Sequence, residues 1–133
     1  MTVPAHEVMA VHQLYGAQSH AIDEGRAADW AATFTPDGEF RSPSYPEPAI
    51  GTAMLTAFAE RFHQSCAESG ETLRHVVSTI EVRPGGDPDT LLVRAYLQIT
   101  GPSRLHRLTV LADELARTGD GWRVRRRAVH RDA

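Results

Sequence analysis

The segment from Ile22 to Phe40, IDEGRAADWAATFTPDGEF, constrains the fold more than any other part of the chain. It reads as a helix end at Asp23, a break at Gly25, and a short second helix that carries Trp30. Glycine takes the left-handed conformation that ends a helix, and the Pro-Asp-Gly run at 36–38 is typical of a turn into a strand. The segment therefore places a carboxylate where a helix gives way to a loop beside aromatic residues, which suits proton transfer.

The rest of the chain reads as helices followed by strands. Apolar residues recur at helical spacing over about 5–22, 27–34 and 52–68, with a short strand predicted at 40–42. Runs separated by glycine- and proline-rich turns predict longer strands at 73–82, 91–100, 105–117 and 122–130. This order predicts an α+β fold, and 133 residues suit a single domain spanning 1–133.

The charge balance argues against nucleic acid as a partner. The chain has 17 acidic and 14 basic residues, a net charge of −3, whereas nucleic-acid-binding domains are typically basic. The arginine-rich run at 123–127 is better explained as a strand, whose alternate residues pair with acids such as Asp113 and Glu114 on the preceding strand. All 14 basic residues are arginine, a bias typical of a GC-rich bacterial genome.

The patterns of cysteine, histidine and hydropathy argue against a disulfide-bonded protein, a metalloprotein and a membrane protein. A single cysteine, Cys66, precludes an intrachain disulfide and a cysteine-based zinc site. The histidines lack a common metal-ligand spacing, so we expect neither a metal nor another cofactor. No apolar run reaches the length of a membrane span, and the first residues do not resemble a signal peptide, so we expect a cytoplasmic protein without membrane association.

Several motifs together resemble one family. They are Asp23 with Gly25, Trp30, Phe-Thr-Pro-Asp-Gly at 34–38, Leu-Arg-His at 73–75 and Gly-Asp-Gly-Trp-Arg-Val at 119–124. In these motifs the chain resembles the SnoaL-like and scytalone-dehydratase-like branch of the nuclear-transport-factor-2-like superfamily. The resemblance implies a cone-shaped barrel, in which a strongly curved antiparallel sheet wraps over about three N-terminal helices and encloses a ligand pocket. The superfamily hosts isomerases, cyclases, dehydratases and non-enzymes, so it specifies the fold more closely than the activity.

Three residues are candidates for acid–base chemistry in that pocket. The resemblance implies that Asp23 and His75 face the substrate, and imidazole is suited to proton exchange near neutral pH. From the residues alone, Asp23 is better explained as a helix-end residue that satisfies backbone groups near Gly25, and strand alternation leaves the direction of His75 open. His106 shares a strand face with Leu108 and Val110, so it is either a packed core histidine or the second histidine of a catalytic set.

Aromatic and apolar side chains are predicted to bind the substrate. Tyr45 lies in a proline-rich loop expected near the pocket mouth, and Tyr15 lies two turns before Asp23, where it either donates to a substrate oxygen or packs in the core. The full set is Tyr15, Trp30, Phe34, Phe40, Tyr45, Met54, Phe58 and Phe62. Tyr96 alternates away from its apolar neighbours and is expected on the outer sheet face.

Two positions depart from related branches. Ser42 stands where the resemblance places the general-base aspartate of ketosteroid isomerases, which disfavours simple isomerisation of that type. Leu97 stands where the scytalone-dehydratase branch has a second histidine, which puts a full dehydratase machinery in doubt.

Two functional hypotheses follow. The first is a cofactor-independent cyclase, isomerase or dehydratase that acts on an apolar oxygenated molecule, such as a polyketide or aromatic intermediate. The second is a non-catalytic small-molecule-binding or accessory subunit on the same fold. Homodimerisation through the outer sheet face is expected in either case.

Overall fold

The helices form the first half of the fold. A computed structural model describes residues 2–131 and contains, within that range, three helices: α1 (Ala5–Asp23), α2 (Ala27–Ala31) and α3 (Thr52–Ser69). The predicted break after α1 is confirmed, since Gly25 adopts a φ of +76°. A Cβ added at Gly25 would also lie 2.7 Å from the ring of His63 on α3. Gly25 therefore both ends α1 and allows α3 to approach the break. None of the helices in residues 2–131 is long and apolar enough to span a membrane.

The strands form one sheet over the described residues. They are β1 (Phe34–Arg41), β2 (Ala49–Ile50), β3 (Arg74–Pro84), β4 (Thr90–Thr100), β5 (Leu105–Thr118) and β6 (Gly121–Arg131), in the order β2-β1-β6-β5-β4-β3. The predicted α+β class is confirmed. The sheet is mixed rather than wholly antiparallel, however, because β1 runs parallel to β6. It is not closed, and its register shifts at several bulges, which bend strands and increase their twist.

The second helix is shorter, and the first strand longer, than predicted. α2 ends at Ala31 rather than near Phe34, and β1 already begins at Phe34. The Pro-Asp-Gly run at 36–38 is not a separate turn before the strand. It lies within β1, where the register with β6 shifts between Phe34 and Glu39. The turn-forming residues therefore act as a bulge, since the backbone on both sides still pairs with β6.

A second bulge sets which residues of β3 face the helices. Thr79 has a φ of +54°, and the pairing with β4 shifts between Ser78 and Glu81. Before the bulge, His75 and Val77 are partly buried, whereas afterwards Ile80 takes the inward position. Simple alternation had placed Thr79 on the face of His75. The bulge removes it from that face because the extra residue reverses the alternation.

The core lies between the helices and the inner face of the sheet. On β4, Val93, Ala95 and Leu97 are buried, while Tyr96 between them is 48% exposed on the outer face, as predicted. On α3, Leu55 is fully buried, but its neighbour Met54 is 49% exposed. Leu55 therefore belongs to the buried face of α3, whereas Met54 does not.

This contrast gives a stability prediction. Leu55→Ala should lower the free energy of unfolding by about 2–5 kcal/mol, because it leaves a cavity in the core. Met54→Ala, the matched control on the same helix, should change it by about 0.5 kcal/mol or less. Urea denaturation followed by circular dichroism measures both values. Similar losses in the two variants would contradict the burial pattern.

Candidate active site

A cavity lies between the helices and the inner face of the sheet. Its apolar wall comes from both layers, namely Ile22, Trp30, Phe40, Tyr45, Phe58, Phe62, Leu97, Ile99 and Val129. Its polar lining consists of Ser42, Ser44, His75, Arg107, Thr109 and Arg127. The cavity volume is about 50 Å³, and it rises to about 540 Å³ when the open space at its mouth is counted. The cavity is therefore apolar and narrow, with few polar groups.

His75 lies on the wall of this cavity and contacts Asp23, although the two residues are 52 positions apart in the chain. Asp23 itself does not line the cavity but a neighbouring groove beside Phe62 and Leu73. The Nδ1 atom of His75 lies 2.7 Å from Oδ1 of Asp23, and the main-chain N–H of His75 donates to both carboxylate oxygens at 3.1 Å. The side chains are only 13% and 5% exposed, respectively. With an ionised carboxylate at Nδ1, that nitrogen carries the proton, and Nε2 is left as the acceptor.

Local structure explains how the pair forms. Asp23 is the last residue of α1 and His75 the second residue of β3, so the contact joins a helix end to a strand start. The ring of Phe62 on α3 meets the imidazole edge-on, with centroids 4.9 Å apart. The ring of His75 is therefore fixed on one side by a carboxylate and on another by an aromatic wall. Such fixation orients Nε2, which has no hydrogen-bond partner among residues 2–131.

A second polar group lies deeper in the fold, at Arg127. Its Nη2 is 2.8 Å from Oδ2 of Asp113 and its Nε is 3.0 Å from Oδ1. The hydroxyl of Tyr15 also donates to Asp113. Burial, followed by the charge of Asp113, raises the pKa of Tyr15 well above its usual value, so the phenol remains a donor. These three residues form a buried network that joins α1, β5 and β6.

The structure separates the predicted substrate-binding residues into two groups. Five of them line the cavity: Trp30, Phe40, Tyr45, Phe58 and Phe62. Three do not, so their predicted place is corrected. Tyr15 is buried against Asp113, and Phe34 packs in the core with its ring centroid 4.9 Å from that of Trp30. Met54 is half exposed in a neighbouring groove on the other side of Phe58.

His106 does not share the cavity with His75, which corrects the proposed two-histidine set. Arg107 pairs with Ile99 in the regular register of β4 and β5 and takes the inward position. His106 instead lines a neighbouring groove, where its Nε2 is 3.1 Å from a carboxylate oxygen of Glu71. The physical reason is strand alternation, since the face that His106 shares with Leu108 is the outer one: Leu108 is 48% exposed, whereas Thr109 is buried.

The cavity also contains residues that the sequence analysis did not select. Arg107, Thr109 and Arg127 line it, and Asp113 holds Arg127 in place. The sequence did predict the pairing of the arginine run with acids, since Arg127 pairs with Asp113 and Arg125 with Glu114. Counting back from Leu111 at strand spacing would have placed Thr109 and Arg107 on the inner face. Within residues 2–131 no group of three His, Cys, Asp or Glu side chains is placed to hold a metal.

The buried and the partly exposed ion pair should respond differently to mutation. Asp113→Ala should lower the free energy of unfolding by about 3–5 kcal/mol, because it leaves the Arg127 charge buried without a partner. Glu114→Ala, the matched control at the next position, breaks a pair whose side chains are 31% and 39% exposed, and it should cost about 1 kcal/mol or less. Chemical denaturation measures both. Equal losses would show that the Asp113 pair is not desolvated.

Comparisons with known proteins agree with this fold. Residues 4–128 match the family model described as a SnoaL-like domain. No curated protein sequence matches the chain. Among solved structures, ActVI-ORFA from Streptomyces coelicolor is 27% identical with a TM-score of 0.84, covering 97% of each chain.

Two further structures are similar. A protein from Catenulispora acidiphila in complex with S-DNPA is 26% identical with a TM-score of 0.77, covering 95% of this chain and 93% of that one. An NTF2-like protein with a cystatin-like fold from Novosphingobium aromaticivorans is 22% identical with a TM-score of 0.80, covering 93% and 80%. The family match over nearly the whole chain shows that this protein belongs to the SnoaL-like family.

Proposed function

We propose that the protein is a cofactor-independent acid–base enzyme, a cyclase, isomerase or dehydratase acting on an apolar oxygenated molecule such as a polyketide or aromatic intermediate. The observation that carries the proposal is the placement of His75 on the cavity wall, with Nδ1 on Asp23 and Nε2 without a protein partner. An imidazole fixed in this way has its acceptor nitrogen ready for a substrate proton.

In the proposed mechanism His75 moves the proton and Asp23 positions it. Nε2 removes a proton from a carbon next to a carbonyl group, or from a hydroxyl group, and the ring becomes an imidazolium. The Asp23 carboxylate stabilises that charge through Nδ1–H. The imidazolium then returns the proton to another atom of the substrate. Return to a different carbon completes an isomerisation, return to a departing hydroxyl completes an elimination, and return after carbon–carbon bond formation completes a cyclisation.

The surroundings of His75 support this mechanism. Trp30 stacks on Phe58 with centroids 5.5 Å apart, and Tyr45 meets Phe58 edge-on at 5.0 Å, so flat aromatic surfaces line the cavity. Such walls suit a planar ring system, and they exclude water that would compete for the base. The SnoaL-like family includes cofactor-independent isomerases and cyclases. The similar Catenulispora protein is a complex with a small molecule, S-DNPA.

A non-catalytic ligand-binding or accessory subunit is the second candidate. One observation favours it: Leu97, on the wall of the cavity beside His75, supplies no second proton-transfer group. Such a protein would bind the same apolar molecules through the aromatic wall without changing them. Proton exchange distinguishes the two candidates because it requires a base as well as a bound ligand.

His75→Gln should lower catalysed proton exchange by roughly a hundred- to ten-thousand-fold, because it removes the general base. The measurement is the exchange of the activated methylene protons of 2-tetralone in D2O, followed by NMR. His130→Gln, at an exposed position on β6, is the control and should keep the exchange rate and the thermal midpoint. Equal rates in the His75 variant and the native protein would exclude the catalytic role, and binding without exchange in the native protein would favour a carrier.

We also propose that the protein is a homodimer, formed through the outer face of the sheet. Val76 is 40% exposed, Tyr96 48% and Leu108 48%, and they lie on the adjacent strands β3, β4 and β5. A patch of exposed apolar side chains on three adjacent strands suits a contact with the same patch of a second copy related by a twofold axis. Light scattering after size exclusion should give twice the chain mass for the native protein and the single mass for Tyr96→Arg. A native monomer would exclude the proposal.

A further inference from the structure

Arg127 is the most deeply buried charge that faces the cavity. The residue is 5% exposed and lines the cavity together with His75. Its guanidinium lies against two rings, 5.5 Å from the centroid of Tyr15 and 5.8 Å from that of Phe34. A charged group in such surroundings is costly unless every polar atom has a partner.

The protein provides partners for two of its three nitrogens. Nε and Nη2 donate to the carboxylate of Asp113, whereas Nη1 has no acceptor among residues 2–131. In the same range no fully enclosed side-chain nitrogen or oxygen lacks a partner. Nη1 is therefore not sealed in the core. Since Arg127 lines the cavity, the free donors of Nη1 are accessible from that space.

We infer that Arg127 binds an oxygen anion of the ligand, so that the cavity selects aromatic molecules carrying an acidic phenol or enol and holds that group as its anion. The inference rests on the proposed function because it names the substrate class of the same cavity. His75 removes a proton at one part of the molecule, and Arg127 holds an oxygen at another. His75 is not needed to hold the oxygen at Arg127, and Arg127 is not needed to bind the part of the molecule that lies at His75.

The electrostatics favour an anionic oxygen over a neutral donor. Burial acts to lower the pKa of Arg127, but the charge and hydrogen bonds of Asp113 outweigh it and raise the pKa, so the guanidinium stays charged. The hydroxyl of Tyr15 donates to Asp113 and takes up part of the negative charge of that carboxylate. Nη1 can only donate, so its natural partner is an acceptor oxygen, and such bonds strengthen when the acceptor is ionised.

Arg107 provides an internal comparison for the same chemistry. Arg107 also lines the cavity, but it is exposed and lines the neighbouring groove of His106 as well. Water screens a charge at that position far more than a buried one. A preference for an anionic oxygen at the depth of the cavity should therefore depend on Arg127 and not on Arg107.

The test is the ionisation of a bound naphthol. 6-Cyano-2-naphthol is titrated by absorbance with and without excess protein, since its neutral and ionised forms have different spectra. An opposite charge within about 4–6 Å lowers the pKa of an acid by roughly 1–3 units. We expect the bound naphthol to ionise at least about one unit lower, which corresponds to roughly tenfold tighter binding of the anion.

One double variant and one control complete the test. Asp113→Asn combined with Arg127→Gln removes both charges without leaving one unpaired. It should abolish the tenfold preference while naphthalene binding persists, and Arg107→Gln should retain it. An unshifted titration in the native protein, an unchanged shift in the double variant, or loss of the shift in Arg107→Gln would each overturn the inference.

The outcome is separate from that of the proposed function. His75→Gln should keep the naphthol shift although it loses proton exchange, because the base does not hold this oxygen. Exchange that depends on His75 without any naphthol shift would refute the role of Arg127 alone. A shift without exchange would refute the role of His75 alone.

Discussion

Asp23 accepts hydrogen bonds from both the main chain and the ring of His75, and this contact joins the end of α1 to the start of β3. A carboxylate that is 5% exposed needs such partners, because burying a charge without them is costly. The same three hydrogen bonds therefore meet a folding requirement and fix the tautomer of the imidazole. The helix must stop at this point for the carboxylate to reach the strand, which explains why the break at Gly25 follows so closely.

Two polar groups on the cavity wall are each held by a carboxylate. His75 is held by Asp23 at the end of α1. Arg127 is held by Asp113, whose charge and hydrogen bonds keep the guanidinium charged. The rest of the wall is mostly aromatic and aliphatic. Under the proposed function, a planar molecule in this space would meet both a proton acceptor and a fixed set of hydrogen-bond donors, a combination typical of sites that stabilise developing charge.

The sequence predicted the bounds of the helices and strands well. It predicted less well which face of a strand each side chain occupies. Helical spacing and the turn sequences placed α1, α3 and the four long strands within one or two residues. The errors have two causes. At Thr79 a bulge reverses the alternation, and on β5 the apolar face that His106 shares with Leu108 is the outer one. A bulge adds one residue without a marked change in composition, so residue patterns alone do not reveal it.

The contact of Asp23 with His75 was expected from family resemblance, whereas the cavity position of Arg127 was not. The arginine run predicted ion pairs with Asp113 and Glu114, and both pairs form. Which arginine turns inward depends on a further register shift between Glu114 and Leu115. Burial of Arg127 thus follows from pairing geometry across two strands, and local sequence carries no information about it.

The narrowness of the cavity has a consequence for how a ligand enters. A cavity volume of about 50 Å³ cannot admit a fused ring system without movement of the wall. Tyr45, on the proline-rich segment between β1 and β2, is 38% exposed and lies at the solvent side of this wall. Admission of a ring system then becomes a conformational step that is separate from the chemistry.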